Sequence, residues 1–103
     1  MREVPPNQGF YFYVAEHLPA GITAYRLSEF LEELRTVEAA SIDFHFYRGD
    51  FEKWIDMLGD GYLSRQFDEL KGKSPSGEEL RSQLIKRVRS RYETLTKAST
   101  RST

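Results

Sequence analysis

The rhythm of apolar and polar residues changes once along this chain. Phe10 to Val14 reads Phe-Tyr-Phe-Tyr-Val, an aromatic and β-branched run that predicts a strand. The four consecutive aromatics blur its alternation. His17 to Gly21 contains Leu-Pro-Ala-Gly and predicts a turn. Ile22 to Tyr25 then predicts a short second strand returning as a hairpin. A lone two-stranded hairpin is marginal in water, so it must pack on helices. After Tyr25 the spacing becomes helical: Leu27, Phe30, Leu31, Leu34 and Val37 share one face. That helix is expected over about Ser28 to Val37, with Ser28 as its cap. Glu29, Glu32 and Glu33 would then sit near the positive end of its dipole.

Ser41 is the expected cap of a second helix carrying Ile42, Phe44, Phe46 and Tyr47. Phe44-His45-Phe46-Tyr47 also fits a strand; helix is the reading taken. Gly49 ends it by tolerating a left-handed backbone. Asp50 is the expected cap of a third helix whose apolar face is Phe51, Trp54, Ile55 and Leu58. Gly59 stops that helix and Asp60 caps a fourth, with Leu63, Phe67 and Leu70 inward. Lys71 to Ser76 is a polar break. Ser76 with Glu79 three residues later fits a capping box. The last and longest helix, about Gly77 to Lys97, carries Leu80, Leu84, Val88, Tyr92 and Leu95 on one stripe.

The fold expected is therefore mainly α with a minor β part. A short N-terminal strand or hairpin precedes a compact domain of four or five helices, the last one long. Residues 1–9 read as an irregular lead, 10–97 as a single small domain and 98–103 as a polar tail. The expected core is Phe10, Phe12, Phe30, Leu34, Phe44, Phe51, Trp54, Ile55, Leu58, Leu63, Phe67, Leu80, Leu84 and Val88.

Composition narrows the function classes. The 103 residues suit one domain. Charged residues make up 30% and aromatics 14%, which fits a folded, water-facing chain and not a disordered one. The absence of cysteine removes disulfides, thiolate zinc sites and cysteine nucleophiles. No apolar run is long enough to span a membrane. The opening MREVPPNQG lacks an apolar leader core, so a cytoplasmic protein is expected. The net charge of -1 hides an asymmetry. Residues 1–70 hold six Lys/Arg against thirteen Asp/Glu, and residues 71–103 nine against three. The basic end either meets an acidic partner or neutralises the rest of the same molecule.

The string SIDFHFYRGDFEKWIDMLGD spans Ser41 to Asp60. Its His45, Asp50-Phe51, Trp54-Ile55 and Gly59-Asp60 resemble a family of small helical domains of unknown function from archaea and some bacteria. The family pattern is a histidine, then Asp-Phe, Trp-Ile and Gly-Asp followed by leucine. The resemblance covers about residues 10–95, and its specific part is this central twenty. Gly61-Tyr62 stands where an acidic pair is more usual, and Ser64 where alanine is common. The resemblance implies a module that occurs alone or beside other domains, sometimes near carbohydrate-active enzymes. It implies no known activity.

The motif has a structural explanation. Phe51, Trp54, Ile55 and Leu58 form a core stripe, Gly49 and Gly59 reverse the chain, and Asp50 and Asp60 are caps. His45 is expected to donate to a carbonyl or to Asp50 and lock the corner between two helices. Catalytic and metal sites need convergent groups. His45 with Asp43 and Asp50 offers three ligands on paper, but Asp43 and His45 diverge on a helix. No nucleophile elbow or phosphate-binding glycine loop occurs. The reading taken is a non-enzymatic protein-interaction or regulatory module with no cofactor or metal. Its contacts would use the basic side of the last helix (Lys86, Arg87, Arg89, Arg91) or the aromatics Tyr11, Tyr13 and Tyr25. Two alternatives stand beside it. One is nucleic-acid binding through those cations with Lys71, Lys73, Lys97 and Arg101, although a pI near 6.1 is low for that role. The other is a small-ligand or carbohydrate-metabolism accessory domain.

Overall fold

A computed structural model describes Pro5 and residues 8–101, with side chains through Lys97. Most of the expected lead (1–4, 6 and 7) and the end of the expected tail (102–103) lie outside the described residues. An antiparallel hairpin comes first, β1 (Phe10–Ala15) and β2 (Leu18–Ala24). Five helices follow: α1 (Leu27–Thr36), α2 (Ala39–Arg48), α3 (Asp50–Met57), α4 (Gly61–Lys71) and α5 (Gly77–Arg101). The fold is mainly α with a minor β part, and residues 42–47 are helical. The helix α5 continues past Lys97 into the stretch read as tail.

The hairpin buries Phe10 and Phe12 and turns Tyr11 and Tyr13 outward, so the aromatic run does alternate. Phenyl rings go in, and rings with a hydroxyl go out. Phe10 is the hub, its centroid 4.8 Å from the rings of Phe12 and His45, 5.1 Å from Phe51 and 5.8 Å from Phe30 and Trp54. The rest of the core comes from the stripes of the five helices, ending at Val88 on α5. Phe44 and Leu58 are only half-buried, against expectation. Phe44 stands on the α2 face that turns to the hairpin's open side, and Leu58 is at the end of α3.

The turn is not at Leu18–Gly21. It is the pair Glu16–His17, with His17 at φ +64°, a left-handed conformation uncommon outside glycine. Leu18, Pro19 and Gly21 belong to β2, whose register shifts twice against β1. Proline is tolerated because both strands of a two-stranded sheet are edges. Tyr13 opposes Pro19, and its N–H points away from β2 to His45.

Capping differs from expectation at several helices. Ser28 and Ser41 lie inside α1 and α2, whose caps are Arg26 and Glu38. At α1 the Glu29 carboxylate reaches back to the Tyr25 N–H at 2.8 Å. Asp50 opens α3 without capping it, the cap being Gly49 at φ +80°. Asp60 does cap α4, accepting from the Leu63 N–H at 3.0 Å. At α5 the Ser76 carbonyl accepts the Leu80 N–H at 3.2 Å, and the Gly77 N–H is held by Asp43 on α2 at 2.9 Å. Tyr47 on α2 also donates to the Pro75 carbonyl, so α2 holds the end of the α4–α5 connection.

Candidate functional site

Three of the motif residues meet where α2 hands over to α3. Gly49 reverses the chain with a left-handed backbone, and this brings Asp50 beneath the last turn of α2. The His45 Nδ1 lies 2.9 Å from Asp50 Oδ2. The Tyr13 N–H of β1 donates to the other ring nitrogen, Nε2, at 2.7 Å. An amide can only donate, so Nε2 is unprotonated and Nδ1 carries the hydrogen that Asp50 accepts. His45 is 3% exposed, and burial holds its pKa below the ordinary histidine range. The Asp50 bond and charge oppose that shift, while the Arg48 charge adds to it. A histidine-aspartate pair resembles half a hydrolytic triad, but here the basic nitrogen is already committed to the backbone. His45 therefore ties hairpin, α2 and α3 together. Trp54 does similar work nearby, its indole N–H donating to the Gln8 carbonyl at 2.9 Å.

Outside this joint lies a cleft of about 610 Å³ between the hairpin and α2. Its walls include Tyr11, Tyr13, Phe44 and Arg48, with Glu16 and His17 at the hairpin turn and His45 and Asp50 at the floor. The fold thus brings His17 and His45 to one cleft. Tyr11 is 47% exposed, and its hydrogen bond with Tyr25 is the main cause of a raised Tyr25 pKa. Tyr25 itself is half-buried, its ring against Gly9, where an added Cβ would meet it at 2.6 Å. Arg48 lies over the Phe44 ring at 4.7 Å and places Nε 3.4 Å from Asp50 Oδ2.

No family model, curated protein or solved structure matches this chain.

The candidate cations of α5 do not act as one surface. Arg91 Nε donates to Asp60 Oδ2 at 2.8 Å and its guanidinium covers Tyr62. Arg87 donates to Gln83 Oε1 at 2.6 Å. Arg81, which the sequence did not single out, binds Glu78 and the Leu34 carbonyl. Lys86 and Arg89 are exposed. On α4, Lys71 stands 2.8 Å from Glu52. Part of the basic half thus meets the acidic half within the molecule. Among the described residues no cluster of three His, Asp or Glu could hold a metal, since Asp43 is turned to Gly77. Among them, too, no helix is long and apolar enough to cross a membrane.

Sequence reasoning named Tyr11 and Tyr13 as available aromatics but missed Glu16, His17 and Arg48 as their neighbours. The one local signal was Phe44 and Arg48 at i, i+4, a spacing that stacks two side chains on one helix face.

Proposed function

We propose that this domain is a non-enzymatic protein-interaction module and that the aromatic cleft between β1 and α2 is its contact surface. The observation that carries this reading is the double engagement of His45, bonded through Nε2 to Tyr13 and through Nδ1 to Asp50. With both nitrogens occupied, the most triad-like group in the cleft has no free base to offer. What the cleft presents is Tyr11, Tyr13 and Phe44 around a half-exposed arginine. Aromatics are among the residue types that dominate contact energies in protein interfaces. The Ser41 to Asp60 string supports kinship with the small helical domains it resembles, and a cytoplasmic setting belongs to the same proposal. The partition of the α5 cations favours protein over nucleic acid, since Arg91 is held by Asp60.

The test is capture from a native lysate on the tagged chain, with a nuclease-treated parallel. Wild type is compared with Phe44→Ser and with the double variant Lys86→Glu, Arg89→Glu. A stoichiometric protein that survives nuclease and is lost only from Phe44→Ser supports the cleft. Recovered nucleic acid, or capture lost only from the double variant, moves function to α5.

A further inference from the structure

The cleft's chemistry points to one kind of occupant. Its formal charges are the carboxylates Glu16 and Asp50 against the single guanidinium of Arg48. His45 adds no charge, because its Nε2 accepts from the backbone. Asp50 Oδ2 accepts from His45 Nδ1–H at 2.9 Å. His17 Nε2 stands 3.5 Å from Glu16 Oε1 at the rim. Arg48 already shows how a cation is held here. Its Cζ stands over the Phe44 ring, 4.7 Å from the centroid, with Nε 3.4 Å from Asp50 Oδ2. Yet its side chain is 53% exposed and belongs to no core contact, so it can swing into water without disturbing the core. Removed from the cleft, it leaves the carboxylates of Glu16 and Asp50 in one cleft with the rings of Tyr13 and Phe44. A π face flanked by carboxylate suits a planar guanidinium, which stacks and forks two N–H donors together. An acidic ligand would meet Glu16 and Asp50.

We propose that this cleft takes the guanidinium of an arginine side chain presented by a partner protein, and that Arg48 fills the same place in the free molecule. The proposal rests on the cleft being the contact surface. Arg48 is then an internal competitor, and its removal strengthens binding.

The experiment is calorimetric titration of the full chain with three capped tripeptides, Gly-Arg-Gly, Gly-Lys-Gly and Gly-Glu-Gly. Wild type, Arg48→Gln and Phe44→Leu are compared, with melting curves confirming that each is folded. The arginine peptide is expected to bind Arg48→Gln roughly two- to fivefold more tightly than wild type, and Phe44→Leu more weakly by a similar factor, the range of one exposed cation–π contact. Weaker or unchanged binding to Arg48→Gln overturns the proposal. So does no binding to either protein, or a lysine or glutamate peptide bound as well as arginine. A glutamate peptide lost from Phe44→Leu would overturn the arginine assignment while leaving the cleft as contact surface. Lysate capture insensitive to Phe44→Ser would remove the cleft itself.

Discussion

Removing the Trp54 side chain tests the joint on which the hairpin rests. Trp54 is 6% exposed, with its ring centroid 5.8 Å from Phe10 and 5.3 Å from Phe30. Its indole N–H is bonded to the Gln8 carbonyl just before β1. Trp54→Ala therefore opens a cavity between α1, α3 and the hairpin and releases the chain ahead of β1. Large-to-small changes of a buried Trp cost about 3–5 kcal/mol. A domain of this size has only about 5–15 kcal/mol in total, so the variant should lose between about a fifth of its stability and all of it. Trp54→Phe keeps an aromatic ring and loses the hydrogen bond. Gln8 is exposed, so water can take its carbonyl, and the cost should be about 1–2 kcal/mol. Urea unfolding followed by far-UV circular dichroism reads both variants without relying on the tryptophan. Each kcal/mol should also lower Tm by about 4–8 °C. A loss below about 1 kcal/mol in Trp54→Ala, at unchanged m, would refute the reasoning and make Trp54 a surface residue in solution.

Acid should loosen the same joint. The folded pKa of His45 lies below that of the unfolded chain, so the unfolded chain takes up its proton first as pH falls. The contribution is complete above about pH 6.5, the ordinary histidine value, and is lost as pH falls through the depressed folded value. Urea midpoints measured from neutral to mildly acid pH should decline in wild type and flatten in His45→Gln; parallel slopes would contradict this. Asp43→Ala should cost about 0.5–2 kcal/mol by stripping the Gly77 N–H of its acceptor, and Asp43→Asn should recover most of it, as thermal melts would show. If both variants melt with wild type, the start of α5 is held by other contacts.

The helical stripes were legible because burial leaves a period. Phe51, Trp54 and Ile55, or Leu80, Leu84 and Val88, declare their face through spacing alone. Caps were less legible, because a serine or aspartate in the first turn looks the same in sequence as one at the cap. Asp60 caps its helix, whereas Ser28, Ser41 and Asp50 stand one to three places inside. The bond that Asp43 makes to the start of α5 could not be read at all, since Asp43 lies 34 residues from the amide it serves. The hairpin turn was misplaced because Pro19 and Gly21 are strong turn signals, while the turn runs through His17 at positive φ. The cleft fell between these cases. His45 and Asp50 were adjacent enough to pair on paper, but the Tyr13 amide that completes the histidine's bonding is 32 residues away.

The Tyr13–Pro19 pairing also decides whether the sheet can grow. Because the Tyr13 amide points outward, this is a non-hydrogen-bonded pair, and the position where Pro19 lacks an amide is on the outer rim of β2. Two residues on, Gly21 at φ +79° departs from strand geometry. One rim is thus plugged by a histidine and the other has lost a donor and its straightness. A third strand, whether from a partner or from another copy of the chain, finds no continuous ladder to extend. The hairpin is guarded against the edge-to-edge stacking that leads exposed sheets into aggregates. Any recognition on this side must come through side chains, which carry specificity, and not through backbone pairing, which would accept almost any extended segment.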